Sequence, residues 1–254
     1  MDQDDAPRPA SAPPDEDQPE TVRAPDQQGR SEPVFNMPGI VLAVIAICVA
    51  VHLVRTQFLN IEQDFDVILH GAFIPVFYTG AFGFDPWLLT APVSYSLLHG
   101  DVLHLGVNLV WLAAFGSPLA GRMGNLRFAL FWVVTAAAAA FLFLLLHPFG
   151  DAPLVGASGA ISGMMGAAAR FGFRIDRRDR PPRFAGPPMS VAEALSHRTV
   201  FVFLAAWFAV NLATGLLGAV PGFEGQIAWE AHVGGFLAGF FGLPAMLGRA
   251  RLNA

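Results

Sequence analysis

Six apolar segments in this chain are each close to the length that crosses a lipid bilayer, and they constrain the fold more than any other feature. They cover residues 38–54, 102–120, 126–147, 157–173, 199–219 and 230–248. A membrane-spanning helix needs roughly 20 apolar residues. Charged residues make up 14% of the chain, against about 25% in soluble domains. Because backbone polar groups in lipid must be paired internally, the segments predict an all-α membrane protein, a bundle of six transmembrane helices.

The first 36 residues differ in composition from the rest. They hold nine of the 20 acidic residues and seven prolines, with few large apolar side chains. Such a segment cannot bury enough apolar surface to offset its ordering entropy, so we predict an acidic, proline-rich, disordered tail over residues 1–36 and a helical domain over 37–250. The tail lacks the apolar core of a signal peptide. Its charges account for the net charge of −5, which leaves the body without a basic face for nucleic acid.

All 15 basic residues are arginine, and their distribution predicts the orientation in the membrane. Eleven arginines lie in or next to the links that follow the second, fourth and sixth segments. They are Arg122, Arg127, Arg170, Arg174, Arg177, Arg178, Arg180, Arg183, Arg198, Arg249 and Arg251. The opposite links hold only Arg55. We interpret the arginines as topology determinants that place both termini in the cytoplasm. The arginine-only, Ala-, Gly- and Pro-rich composition indicates a GC-rich bacterial gene, which predicts a multi-pass protein of a bacterial inner membrane.

Four polar side chains are predicted to lie at the same depth, in the outer part of the membrane. Ser158 begins the fourth segment, His232 begins the sixth, and His104 and Asn108 begin the second. A serine becomes nucleophilic when an adjacent base takes its proton, and donors such as amides stabilise the negative charge that develops on the attacked carbonyl. The glycines beside Ser158 allow a substrate backbone to approach closely. The pattern predicts an acyl-transfer site.

Other interpretations of these residues remain open from the sequence alone. The Gly156 and Gly159 stretch also fits packing between helices, Ser158 could cap its helix, and His232 could make a structural hydrogen bond. His99 and His104 are five residues apart, which is poor spacing for metal ligands on one helix face, so we predict neither a metal nor a cofactor. The nearest membrane acid, Glu230, faces another side of the helix from His232, which favours a serine–histidine dyad over a triad.

Three motifs in this order resemble those of rhomboid intramembrane serine proteases. They are "HGDVLHLGVN" with His99, His104 and Asn108, "GASG" at residues 156–159, and "AHVGGFLAG" at residues 231–239. The resemblance covers about residues 38–248. It implies that Ser158 is the nucleophile and His232 the general base, that His104, Asn108 and the Ser158 amide form the oxyanion hole, and that His99 is structural. It also implies that Gly235 and Gly239 let the fourth and sixth helices approach.

The resemblance further implies a membrane-embedded first loop over 55–100, a flexible cap over 220–229, and transmembrane segments of other proteins as substrates. The chain departs from the family at Ser162, where an aromatic residue is common, and at Leu88, where an arginine often follows the tryptophan. A catalytically silent relative that binds transmembrane clients is the alternative. A transporter or channel is a third hypothesis, disfavoured because the sequence shows neither an inverted repeat nor a ring of intramembrane charges.

Overall fold

The computed structural model of the protein describes residues 37–217 and 228–248. The predicted tail and most of the predicted cap lie outside these ranges. The described residues form the helices α1 (Gly39–Gln57), α2 (Ile61–Gly71), α3 (Ala91–Ser94), α4 (Val102–Trp111), α5 (Ser117–Met123), α6 (Asn125–Leu146), α7 (Ser158–Arg170), α8 (Val191–Ser196), α9 (Arg198–Leu217) and α10 (Trp229–Leu247). A small antiparallel hairpin pairs β1 (Ile175–Asp176) with β2 (Arg183–Phe184).

The predicted all-α membrane bundle is confirmed. Four helical stretches in the described ranges are long and apolar enough to cross a membrane: α1, the continuous run Val102–Met123, α6, and Arg198–Gly215 of α9. In the second of these a π-helical turn, Leu112–Gly116, joins α4 to α5. The fourth and sixth predicted segments form α7, which has only 13 residues, and α10, whose apolar run is interrupted by Glu230, His232 and Pro244. That all six segments cross the membrane stays a prediction.

The short helix α7 lies at the centre of the bundle. Twelve of its 13 residues are buried, and it packs between α6 and α10. A Cβ atom at Gly235 would fall on the carbonyl oxygen of Gly159, and one at Gly239 on that of Gly163. A Cβ atom at Gly163 would lie 2.5 Å from Cγ2 of Thr135 on α6. Small residues thus allow backbone-to-backbone contact, which supplies the van der Waals packing that stabilises helices in lipid.

The link between α1 and α4 is folded against the bundle by polar contacts. Arg55 at the end of α1 is buried, and its guanidinium binds Asp64 of α2 at 2.7 Å and the carbonyl oxygen of His99 at 3.0 Å. The buried Tyr95 donates its hydroxyl to the carbonyl oxygen of Ala136 on α6 at 3.0 Å. Large apolar side chains of the link are exposed, namely Phe58, Ile61, Phe65, Phe82, Phe84 and Leu89, a surface that suits the predicted membrane-embedded loop.

Two arginines that we interpreted as topology determinants have a structural role as well. Arg170 at the end of α7 is buried and donates to the carbonyl oxygens of Met189 and Phe240, each at 2.7 Å. Phe240 lies four residues before Pro244 in α10, and proline has no N–H to donate to the carbonyl four residues before it. The guanidinium of Arg170 therefore satisfies a carbonyl that the helix leaves unpaired. Arg122 is likewise buried, with a bond to the carbonyl oxygen of Gly186.

Candidate active site

The chain that precedes Ser158 is held by backbone bonds to the link between α1 and α4. Phe73 and Leu154 exchange a pair of N–H···O bonds of 3.1 and 2.9 Å, and the Gly156 N–H donates to the carbonyl oxygen of Tyr95 at 3.0 Å. Gly156 has a φ of +117°, which L side chains rarely adopt. This turn, which glycine adopts without strain, directs the chain into α7, so that Ser158 is the first residue of the helix.

Ser158 and His232 are brought within hydrogen-bonding distance. Ser158 Oγ lies 2.8 Å from His232 Nε2, and both residues are half-buried. Ala157, not Ser158, is the N-cap of α7, and no side chain caps that end. The helix-capping interpretation of Ser158 is therefore wrong. The two residues are 74 positions apart in the sequence, and the contact between α7 and α10 at their glycines is what allows them to meet.

The other ring nitrogen of His232 is bound by Asn211 from α9, a residue that the sequence analysis missed. Asn211 Oδ1 lies 2.6 Å from His232 Nδ1, and Asn211 Nδ2 donates to the carbonyl oxygen of Trp207 at 2.8 Å. Asn211 is 7% exposed. A signal was present, because an amide in the middle of an apolar segment is a candidate functional residue. Nothing in the sequence, however, indicated its partner.

Glu230 does not contact His232, in agreement with the spacing argument. Its Oε1 atom lies 2.9 Å from Nε2 of His147 at the end of α6. The pair joins the start of α10 to the end of α6. In the described residues, side-chain hydrogen bonds connect Ser158 to His232 and His232 to Asn211, with an amide where serine hydrolases commonly have a carboxylate.

His104 and Asn108 border the same region from α4. A Cβ atom at Gly156 would lie 2.7 Å from His104 Nε2 and 3.6 Å from Ser158 Oγ, so these two atoms lie beside one glycine. Asn108 is buried, and its Nδ2 donates to the carbonyl oxygen of His104 at 2.9 Å. An amide NH2 has a second hydrogen. The start of α4 is fixed by the Asp101 carboxylate, which accepts from the His104 N–H at 2.7 Å.

His99 packs behind this group. Its side chain is fully buried, with its ring centroid 5.3 Å from that of His104 in an edge-on arrangement. Its carbonyl oxygen accepts from Arg55. Within the ranges that the structure describes, no three His, Cys, Asp or Glu side chains are grouped as metal ligands would be.

The two departures from the motif pattern lie beside the site and in the first link. Ser162, one turn beyond Ser158 on α7, is buried. Trp87 packs edge-on against Phe77 and His70, with ring centroids 5.3 and 5.6 Å away. These two aromatic contacts hold the Trp87 side chain against its neighbours in the link.

Comparison with known proteins identifies the family. The Rhomboid domain model matches residues 86–249, a range that includes Ser158, His232, Asn211, His104 and Asn108. Among curated proteins, RHOMBOID-like protein 5 of Arabidopsis thaliana is 27% identical over 149 residues, which cover 59% of this chain and 41% of the relative. RHOMBOID-like protein 6, mitochondrial, of the same plant is 28% identical over 165 residues, which cover 62% of this chain and 43% of the relative.

The aligned region thus spans less than half the length of these curated relatives. The family match covers well over half of this chain and contains the whole hydrogen-bonded group on α4, α7, α9 and α10. The chain belongs to the rhomboid family, whose members include intramembrane serine proteases.

Proposed function

We propose that the protein is an intramembrane serine endopeptidase that cleaves transmembrane segments of other membrane proteins. The observation that carries the proposal is the hydrogen bond of 2.8 Å between Ser158 Oγ and His232 Nε2, because a hydroxyl paired with an imidazole is an activated nucleophile. The four long apolar helices support a lipid bilayer as the environment. The arginine distribution further favours both termini in the cytoplasm, and the arginine-only, Ala-, Gly- and Pro-rich composition favours a bacterial inner membrane.

In the proposed reaction, His232 Nε2 takes the hydroxyl proton while Ser158 Oγ attacks the substrate carbonyl carbon. The carbonyl oxygen becomes an oxyanion, and we assign its donors to the Ser158 N–H, His104 Nε2–H and the second N–H of Asn108. The protonated His232 then gives its proton to the leaving amine as the peptide bond breaks. Water then attacks the resulting ester while His232 takes a proton from that water. The bond between the acyl carbon and Ser158 Oγ breaks, His232 returns the proton to Ser158 Oγ, and the acid product leaves.

The start of α7 is suited to this reaction. The first N–H groups of a helix lack intrahelical acceptors, and the helix dipole places partial positive charge at the same end. A substrate carbonyl next to Ser158 would therefore meet donors without any rearrangement of the backbone. The small volume of Gly156 leaves room for that carbonyl between His104 and Ser158.

Cleavage of a labelled transmembrane peptide with alanine and glycine near its outer end tests the proposal, with detergent-purified protein. We expect the wild type to cleave, and Ser158→Ala and His232→Ala each to lose at least about 1,000-fold in rate, because removal of either member of such a pair has effects of this size or larger. Ser162→Ala is the matched control: a buried serine one turn along the same helix whose loss should leave cleavage within about twofold.

The outcomes separate the candidate functions. Retention of cleavage by purified Ser158→Ala would disprove the assignment of the nucleophile. If the wild type neither cleaves the peptide nor reacts with a serine-directed phosphonate, the protease proposal is overturned in favour of the alternative, a catalytically silent rhomboid that binds transmembrane clients.

A further inference from the structure

We propose that Asn211 is a positioning residue for the reaction: its side-chain amide sets the tautomer and the orientation of the His232 ring. The inference rests on the proposed function, because a base needs positioning only where Ser158 is a nucleophile. Asn211 belongs to α9, whereas Ser158 and His232 belong to α7 and α10. A third helix is therefore required to complete the site.

The orientation of the amide follows from its partners. The carbonyl oxygen of Trp207 can only accept a hydrogen bond, so the atom 2.8 Å away must be the NH2 group of Asn211. The amide oxygen then faces His232 Nδ1 at 2.6 Å. An amide oxygen cannot donate, so the proton of the neutral imidazole lies on Nδ1.

This tautomer is the one that the reaction needs. With its proton on Nδ1, the neutral ring presents a lone pair at Nε2, the nitrogen 2.8 Å from Ser158 Oγ. The hydroxyl donates to that lone pair, which leaves the lone pairs of Ser158 Oγ facing away from the base. In the opposite tautomer, Nε2 would carry a hydrogen and could not accept the serine proton. The Trp207–Asn211–His232–Ser158 row therefore runs in one direction only.

Burial and packing of its neighbours hold the Asn211 side chain in place. Asn211 is 7% exposed, and the ring of Trp207 packs on Phe236 of α10 with centroids 4.9 Å apart. The amide is neutral, so it orients the ring without offsetting the charge of the imidazolium. Cysteine proteases of the papain type use an asparagine next to histidine in the same position of the triad.

Three variants separate positioning from simple helix packing. Asn211→Leu keeps the approximate volume and removes both hydrogen bonds. Asn211→Asp keeps the acceptor and adds a charge. Thr214→Val is the matched control, because the Thr214 hydroxyl donates to the backbone carbonyl of Asn211 at 3.0 Å on the same helix and does not touch the amide.

The measurements are the labelling rate of Ser158 by a fluorophosphonate, the kcat and KM for the transmembrane peptide, and the thermal midpoint in detergent. We expect Asn211→Leu to lower the labelling rate and kcat by about 10- to 100-fold, as misplacement of a catalytic group does, with KM within about twofold. Thr214→Val should retain the wild-type rates. A purely structural role would lower the thermal midpoint and leave the labelling rate of the folded fraction unchanged.

The pH–rate profile adds a test that does not depend on the leucine variant. Among the described residues, the titratable group that acts on the His232 ring is His104 from α4, and Glu230, two residues before His232 in α10, is bound to His147. A carboxylate at position 211 favours the protonated imidazole. Because only the neutral ring accepts the serine proton, the acid limb of the profile in Asn211→Asp should move to higher pH while substantial activity is retained.

The results also distinguish the two proposals. If the wild type is labelled and Asn211→Leu is labelled at the same rate, or if the acid limb in Asn211→Asp coincides with that of the wild type, the positioning role is overturned and the protease remains. If the wild type is neither labelled nor able to cleave the peptide, both proposals fail.

Discussion

At the scale of single residues, the turn before Ser158 depends on one glycine. Gly156 combines a φ of +117° with a position where a Cβ atom would lie 2.7 Å from His104 Nε2. Either property alone makes a side chain costly, because positive φ strains L residues and 2.7 Å is well inside van der Waals contact. The same empty volume is where a substrate carbonyl would have to lie in the proposed reaction. Gly156 therefore links backbone conformation to the shape of the site.

Gly156→Ala should lower peptide cleavage by at least about 100-fold, since a misplacement of about 1 Å can cost that much, while the protein remains folded. Cleavage and thermal unfolding of the purified variant are the measurements. Gly106→Ala is the control, because a Cβ atom at Gly106 of α4 meets nothing within 4 Å. Wild-type cleavage by Gly156→Ala would show that this volume is not used by the substrate.

At the scale of secondary-structure elements, the contact between α7 and α10 sets the distance between the two reacting groups. Ser158 and His232 lie on different helices, and Gly159 and Gly235 lie one and three residues beyond them. Backbone contact at these glycines brings Ser158 Oγ and His232 Nε2 to 2.8 Å. A helix pair with larger residues at the interface would separate the two side chains by the thickness of a methyl group or more.

Gly235→Ala should destabilise the protein and abolish cleavage together. The added Cβ atom would fall on the Gly159 carbonyl oxygen, and overpacking of this kind costs about 1–3 kcal/mol or more. Gly242→Ala on the same helix is the control, because its Cβ atom would meet only the flexible end of Met246 at 3.1 Å. The measurements are the thermal midpoint and the cleavage rate of both variants. Equal stability of Gly235→Ala and Gly242→Ala would contradict the close backbone contact at Gly235.

Arg170 joins α7, α10 and the segment before α8, and its contribution to the free energy of unfolding can be measured. Arg170→Met removes two bonds from a charged donor, which should cost about 3 kcal/mol. Pro244→Ala supplies the N–H that the Phe240 carbonyl lacks, so the loss caused by Arg170→Met should be about 1 kcal/mol smaller in that background. Unfolding of the four proteins in detergent gives the coupling. Arg177→Met, which alters an exposed arginine, serves as the control, and additive losses would refute the assignment.

At the scale of the whole molecule, charge is separated along the predicted membrane normal. The arginine-rich segment between α7 and α9 contains the β1–β2 hairpin and α8, and the nearly uncharged segment between α6 and α7 contains Phe149. The positive-inside rule predicts that the first faces the cytoplasm and the second the outer side. The candidate site is at the α7 end that adjoins the second, so proteolysis would occur towards the outer side.

Single cysteines test this orientation, since Cys48 is buried. Arg178 and Phe149 are 92% and 79% exposed. A membrane-impermeant maleimide should modify Phe149→Cys in intact spheroplasts and Arg178→Cys only in inverted membrane vesicles. Unsubstituted protein gives the background from Cys48. The reversed pattern would place the site on the cytoplasmic side.

Hydropathy and three short motifs were sufficient to predict the membrane class, the positions of the helices and the family. Long apolar runs can be nothing but helices in lipid, and every predicted segment overlaps a helix of the structure within about three residues. The order and spacing of the three motifs indicated Ser158, His232, His104 and Asn108 as candidates. These are local properties, because hydropathy, glycine spacing and motif letters are all read within a few turns of one helix.

Which side chains touch, in contrast, depends on how the helices pack against one another. In the sequence, Asn211 is only an amide in an apolar segment. In the structure, the packing of α9 on α10 places Asn211 Oδ1 2.6 Å from His232 Nδ1. From the sequence, Arg170 was interpreted only as a topology determinant. In the structure it donates to the Phe240 carbonyl, which has no helical N–H partner because residue 244 is a proline. The physical reason is the same in both cases: hydrogen bonds between residues 21 and 70 positions apart depend on the rotation and approach of whole helices, which are set by packing over their entire lengths.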